Sequence, residues 1–280
     1  ALYADERVSW PLGREAHLAV QGGLRLDLLQ NGRSWFSGAR DRLLQPRLNV
    51  ELAPTGWFRF RAGAGQIAKT PGLASLHPGL QYYDLVNVNY YANDPAERLA
   101  VLTTRIVDPT NATLGYSRAD RFEAGFEATL APGADIAFTA FRDRVTGAVG
   151  TVAEPTSFLR ELFRIVDSTT GTGRPPDYQF PAFATDTVPV LIDRPSNNLT
   201  VTSSGVELIL TIPEIPRLRT RFAIQGPYLK QRQEDAGVEY SRDFSAFQLT
   251  SFIPRSPYWV GATRTGDRLL LTSRLIHQQP

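Results

Sequence analysis

Hydrophobic and polar residues alternate along this chain in short runs set off by turn-forming residues. Leu18, Val20, Gly22, Leu24 and Leu26 fall at every second position, with Ala19, Gln21, Gly23, Arg25 and Asp27 between them. A period of two puts each set on one face of a β-strand. The same pattern predicts strands over residues 2–10, 16–28 and 47–52, and another from Trp57. There Phe58, Phe60, Ala62 and Ala64 share one side, while Trp57, Arg59, Arg61, Gly63 and Gly65 share the other. Residues 67–84 carry Lys69, Pro71, Gly72, Pro78 and Gly79 and read as a loop. Residues 99–107 form a further strand.

The alternation is clearest later in the chain. Phe122, Ala124, Phe126, Ala128 and Leu130 oppose Glu123, Gly125, Glu127 and Thr129, and after Pro132-Gly133 the segment 135–145 returns. Residues 151–198 read as a long irregular stretch with a short helix over 156–166, placing Phe158, Leu162 and Phe163 on one side. Val206, Leu208 and Leu210 oppose Glu207, Ile209 and Thr211. A turn over 212–216 leads to Leu218, Thr220, Phe222 and Ile224 opposing Arg219, Arg221, Ala223 and Gln225. Residues 230–242 read as a polar segment, 244–253 as a strand, and 258–264 with 268–276 as a final hairpin joined at Thr265-Gly266-Asp267. The total is about ten to twelve strands, repeating at roughly ten residues, the rhythm of a transmembrane β-barrel.

In hydrocarbon a sheet must pair every backbone group and present an apolar face to lipid. The opposite face then looks into a wet or protein-filled lumen. Arg25, Asp27, Arg47, Glu51, Arg59, Arg61, Glu123, Glu127, Glu207, Arg219 and Arg221 are the candidates for that lumen or plug-facing side. Alternation alone is equally compatible with a soluble antiparallel protein whose charges face water. Gly23, Gly63, Gly65 and Gly125 on the charged side leave room for close approach to the wall, or mark bends.

Composition narrows the chemistry. With 30 Lys+Arg against 28 Asp+Glu in 280 residues, the net charge of +2 gives no concentrated basic face for nucleic acid. There is no cysteine, hence no disulfide framework or thiolate metal site. Three histidines, His17, His77 and His277, lack ligand spacing, so no metal or other cofactor is expected. No run of about 18 apolar residues predicts a membrane helix, and the mean hydropathy of −0.22 is no obstacle to a barrel. The first residue is Ala rather than Met, and no signal-peptide pattern is present, which predicts a processed or excised chain. No catalytic constellation emerges. Asp120 and Glu123 are not paired for acid–base work, Gly63-Ala64-Gly65 lacks a nucleotide-loop context, and the sequons at Asn111 and Asn198 are frequent by chance.

Several segments together resemble TonB-dependent outer-membrane receptors. Gly22-Gly23-Leu24-Arg25-Leu26-Asp27 and Leu44-Gln45-Pro46-Arg47-Leu48-Asn49-Val50 resemble hairpins of that family. Phe60-Arg61-Ala62-Gly63-Ala64-Gly65 and the Lys69 to Pro78 stretch resemble its strand-and-loop signature, with Ile67 where an aromatic is common. The segments 117–127 and 204–208 resemble later strands in family order, so the matches span most of the chain.

The resemblance implies a barrel of about 22 strands closed around a plug, of which this chain is a partial, all-β, antiparallel section without the plug. It implies nutrient uptake across the bacterial outer membrane, driven through TonB–ExbB–ExbD, with outer-membrane lipid, the plug and a small nutrient as partners. The nutrient would be a siderophore, oligosaccharide, peptide or corrinoid, and no enzymatic step is expected. The SusC-like or carboxypeptidase-regulatory-domain-bearing branch, whose members partner a surface lipoprotein, is the nearest subfamily resemblance. Residues 151–198 would be a long extracellular loop. Tyr82, Tyr83, Tyr90, Tyr91 and Tyr178 are candidates for ligand contact, or members of an aromatic girdle. The alternatives are a passive porin-type channel and a soluble β-sandwich binding module.

Overall fold

The computed structural model describes residues 2–28, 42–167, 171–241 and 257–277. Period-two segments become strands in chain order: β1 (Leu2–Pro11), β2 (His17–Leu28), β3 (Arg42–Thr55) and β4 (Phe58–Lys69). The chain then makes α1 (Leu73–Leu76), β5 (Gln81–Tyr90), a 3-10 turn at Pro95–Glu97 and β6 (Leu99–Val107). It returns as β7 (Ser117–Ala131), β8 (Ala134–Leu162), β9 (Ala184–Ile215), β10 (Thr220–Tyr240), β11 (Tyr258–Leu269) and β12 (Thr272–His277).

All pairings are antiparallel. The large sheet runs β1-β2-β3-β4-β7-β8-β9-β10-β11, with β12 also on β10, and β5-β6 form a separate two-stranded sheet. β1 and the β11/β12 line lie at opposite ends of this order and do not pair with each other. The fold is therefore all-β, an open antiparallel sheet of the kind that makes part of a barrel wall.

The connections are asymmetric. At one end the hairpins close tightly: 12–16, 56–57, 132–133 and 216–219. Pro132 and Gly133 supply one such turn, Gly133 taking φ 79°, which proline followed by glycine suits. At the other end stand the 70–116 insert, the β8–β9 excursion and the β10–β11 connection.

The structure corrects several sequence expectations. Residues 156–166 are not helical: β8 continues through Leu162 and pairs with β9, Phe158 opposite Val188 and Leu162 opposite Ala184. A spacing of four places Phe158 and Leu162 on one side of a helix and equally on one face of a strand, so these residues could not separate the two. Most of 151–198 is thus an ordered two-stranded arm. Its prolines suit it, because beyond Ser117 β8 has no ladder partner on its other side, and edge strands tolerate proline. Residues 230–242 are strand through Tyr240; polar on both faces, they carry no period to read.

The turn placed at 212–216 falls instead at 216–219, beyond Ile215. Trp57 belongs to a turn rather than to its strand. The final hairpin is not one. β11 pairs with β10 residues 228–240 and β12 with 220–225, in the same direction, so they form one line interrupted at Leu270-Leu271. The break sits opposite Gly226-Pro227, where proline has no N–H to give the ladder and Leu270 N donates instead to the Pro227 carbonyl at 3.1 Å. The strand expected at 244–253 lies outside the described residues.

Candidate functional site

Register converts the two sets of alternating residues into two continuous faces. Glu51 stands opposite Ala19 and Arg61, Arg59 opposite Glu127, and Gly63 opposite both Asn49 and Glu123. Glu207 stands opposite Thr139 and Pro227. By this register Arg25, Asp27, Arg47, Glu51, Arg59, Arg61, Glu123, Glu127, Glu207 and Arg221 all share one face. Arg219 does not join them: it lies in the 216–219 turn with φ 45°, outside any strand.

Much of the charged face is neutralised by the wall itself. Arg61 Nη2 donates to Glu127 Oε2 at 2.7 Å, and Arg59 lies 3.8 Å from the same carboxylate. Glu51 gathers His17 at 3.2 Å, Arg59 at 3.6 Å and Arg61 at 3.8 Å. Arg25 Nε donates to Asp27 Oδ1 at 3.0 Å, and the buried Asp27 carboxylate also accepts from Gln45 Nε2. Arg47 Nη2 reaches Asp5 Oδ2 at 2.9 Å. The charges form a lattice across adjacent strands, as cross-strand pairs do in any sheet. Around Glu51, Arg61 and Glu127 lies a recess of about 500 Å³.

The glycines on this face are covered by the wall's own side chains. A Cβ on Gly23 would stand 2.6 Å from Arg47 Nε, and one on Gly63 would stand 2.8 Å from Asn49 Oδ1. Sequence reading missed Asp5, His17, Gln21, Gln45 and Asn49. The signal was present for His17, Gln21, Gln45 and Asn49, which have the parity of Arg25 or Glu51 on their strands, whereas Asp5 joins the face only through the β1–β2 register opposite Gly23. A charge count along single strands does not show the partner across the ladder.

The opposite face is apolar and bare. Leu24, Leu48, Phe60, Phe122, Leu208 and Tyr228 are each at least 40% exposed. Buried apolar side chains are few among the described residues, and Ala19, Ala53 and Ala128 are three of them. Strands of the large sheet touch chiefly their ladder neighbours, so among the described residues no second layer covers this face. Leu18, Phe126 and Phe222, which share it, are half-buried among their own neighbours.

The apolar stretch also shifts along the strands across the sheet. One hydrogen-bonded row runs Glu6, Gly22, Leu48, Ala64, Phe122, Arg142, Ser204, Lys230. On β2 and β3 the apolar residues continue two same-face rows beyond this line toward the long-connection end, to Leu26 and Leu44. On β8, β9 and β10 they stop one row short of it, at Ala140, Val206 and Tyr228. At the short-turn end the shift is matched: β2 and β3 stop at Leu18 and Leu52, whereas β9 and β10 continue to Ile212 and Phe222. The band therefore runs obliquely to the ladder rows. Within it, among the described residues, Glu6 on the edge strand β1 is the one charge.

The tyrosines fall outside the large sheet, in a lobe at the long-connection end. Bulges around Gly147, where φ is 66°, separate the lower part of the β8–β9 hairpin from its arm. Asn197 secures the junction, its Nδ2 donating to the Gly147 carbonyl at 2.6 Å and the Gly115 carbonyl at 3.1 Å. The β5–β6 sheet packs on this arm: Tyr83 lies 5.6 Å from Phe158, and Gln81 Nε2 donates to the Asp193 carbonyl at 2.8 Å. Tyr83 is thereby part of the lobe's packing. Tyr82 and Tyr91 are well exposed, the Arg98 guanidinium lying 4.4 Å from the Tyr91 ring centre. Tyr90 is half-buried, and the Tyr178 ring packs at a tilt against Phe163, their centres 5.2 Å apart. None of the five lies on the large sheet, so they do not form a girdle around it. Within the arm Arg160 binds Asp186 through two hydrogen bonds, one of them Nε to Oδ1 at 2.9 Å. Those bonds hold the Asp186 carboxyl below the usual carboxylate range.

No family model matches this chain, and no curated protein matches it. Among solved structures it is similar to the siderophore receptor PirA from Acinetobacter baumannii, with a TM-score of 0.46 and 12% identity over 95% of this chain and 39% of that one. It is also similar to the siderophore receptor PirA from Pseudomonas aeruginosa, with a TM-score of 0.36 and 16% identity over 94% of this chain and 47% of that one. The chain spans less than half the length of either receptor.

Proposed function

We propose that this chain is part of the β-barrel wall of a TonB-dependent transporter in the bacterial outer membrane, taking up a nutrient without covalent chemistry. The observation that carries the reading is the bare, oblique apolar band backed by an ion-paired face. A soluble sandwich would cover that band with a second layer, whereas a barrel wall leaves it to lipid. Strands of a barrel tilt about 35–45° from its axis, so a band level with the membrane must run obliquely to the ladder rows. Leu18 to Leu26 and Leu44 to Leu52 each extend about nine residues, the length a tilted strand needs to cross. A lysine or arginine in the middle of the lipid face would cost roughly 2–4 kcal/mol, and the band on β2 to β10 carries none.

On this reading the charged face looks inward. Glu123, Glu207 and Arg221 have no ion pair among the described residues, and they are the groups available to a plug. TonB, ExbB and ExbD would supply the energy through that plug. The long connections face the cell exterior, and Tyr82, Tyr91 and Tyr178 stand where a siderophore, oligosaccharide, peptide or corrinoid would arrive. Comparing iron-limited with glycan-limited growth of a deletion strain separates the first two classes.

The wall assignment has a direct test, because the chain holds no native cysteine. In cells, Leu208→Cys should react with a lipid-soluble maleimide and resist a charged one, while Glu207→Cys should do the reverse. Equal labelling of both positions by the charged reagent would overturn the reading.

A further inference from the structure

We propose that the outward face of β8 to β10, just above the apolar band, binds the phosphate groups of a lipid in the outer leaflet. This rests on the membrane-wall reading above. Where the band ends at Ala140, Val206 and Tyr228, the next row on the same face is Arg142, Ser204 and Lys230, and the row beyond is Arg144, Thr202 and Arg232. Adjacent strands lie about 4.8 Å apart, so the first row sets two unpaired cations roughly 10 Å apart with a hydroxyl between them, while in the second row Arg232 is taken up by Glu234 and Arg144 is the unpaired cation.

The nearby acids have partners of their own. Asp120, opposite Arg144, is bound by Arg118 at 3.1 Å, and Glu234 by Arg232 at 2.6 Å. Asp267, opposite Lys230, accepts from the Tyr228 hydroxyl at 3.4 Å. Arg142, Arg144 and Lys230 are exposed and have no ion pair among the described residues. Arg47, Arg59, Arg61 and Arg121, by contrast, are each taken up by an acid on another strand.

The required partner follows from the two adjoining surfaces. Below the cations is a dry apolar face that accepts acyl chains; at their level are guanidinium forks and hydroxyls matched to phosphate oxygens. A molecule meeting both needs is amphipathic with one or more phosphates at its head. The oblique course of the band places the cations at the lipid–water boundary here, whereas on β2 and β3 the same rows still carry Leu24 and Leu48.

The experiment measures lipid phosphorus retained by the full-length protein after extraction from outer membranes into a neutral detergent and gel filtration. Arg142→Gln with Arg144→Gln should lower retention by about fivefold in affinity for each cation removed. Arg142→Lys with Arg144→Lys should keep most of it, and Arg7→Gln on the opposite face should leave it unchanged. Added inorganic phosphate should not displace the lipid, whereas raising salt to about 0.5 M should strip it from the wild-type protein. Unaltered retention in the double glutamine variant overturns the proposal, as does equal loss in the lysine and glutamine variants, or displacement by free phosphate. A protein absent from the outer-membrane fraction overturns the wall reading itself. One present there, with retention indifferent to both arginines, removes only this lipid site.

Discussion

Two glycines separate flexible crowding from rigid crowding. At Gly23 the space a Cβ would take is occupied by the side chain of Arg47 on its way to Asp5. At Gly205 that space lies 2.3 Å from the backbone carbonyl oxygen of Tyr228 and 3.0 Å from the Phe141 ring. An arginine can move aside, and a half-exposed ion pair is worth at most about 1 kcal/mol. A backbone oxygen in a ladder cannot move without disturbing its strand. Gly23→Ala should therefore cost about 1 kcal/mol or less, while Gly205→Val should cost roughly 1–3 kcal/mol through overpacking. The check is the temperature at which the detergent-solubilised full-length protein loses its compact gel mobility; an equal shift for both variants would contradict the argument. The parity of these glycines was readable from the sequence, but their neighbours were not. Gly23 and Arg47 are distant in the chain and meet only through the β2–β3 register. The ten strand residues of the charged face were legible for the same reason that Arg219 was not. Alternation assigns parity confidently inside a strand, but it continues counting into a turn, where parity has no meaning.

The β8–β9 arm shows what alternation misses at the scale of an element. On the proposed wall reading a strand crossing lipid needs about 9–11 residues, but β8 has 29 and β9 has 32. The excess projects as the arm, where both faces meet water or the β5–β6 sheet and the sequence need not alternate. Gly147, Gly150, Pro155, Pro189 and Pro195 then look like breakers, although an unshared edge accommodates the prolines. The arm is joined across its width by Arg160 and Asp186. Because hydrogen bonding by Arg160 lowers the Asp186 pKa in the folded arm, the pair's contribution is complete above the ordinary aspartate value of about 3.9. It is lost as pH falls through the lowered folded value. Amide exchange in 151–162 and 184–196 should accelerate below about pH 4 relative to the wall strands. In Asp186→Asn the arm should already exchange faster at neutral pH and show a weaker acid dependence. An unchanged acid profile in that variant would show that other groups hold the arm.

The molecule combines a paired interior ladder with an apolar surface that none of the described residues covers. Few large side chains are fully buried among the described residues, Leu114 and Pro109 being the largest, and both belong to the lobe. Stability of the sheet in water would have to come from hydrogen bonds and cross-strand ion pairs alone, while Leu48, Phe60, Phe122 and Leu208 remained wet. Apolar burial contributes about 25 cal/mol for each Å² removed from water, so these residues strongly favour any surface that covers them. The outer edges of β1 and β11, unpaired among the described residues, add a second drive toward association. The 280-residue chain should therefore associate when refolded in buffer alone and become monodisperse, with a strand-rich circular dichroism spectrum, in a neutral detergent. Its lobe offers an internal control, because Leu85, Leu114 and Ile192 are buried with or without detergent. Detergent should alter exchange protection in the wall strands while leaving β5 and β6 nearly unchanged. A monodisperse, strand-rich chain in water, with protection indifferent to detergent, would mean that the apolar band is covered by the protein itself. That result would return the sheet to the soluble class which alternation alone left open.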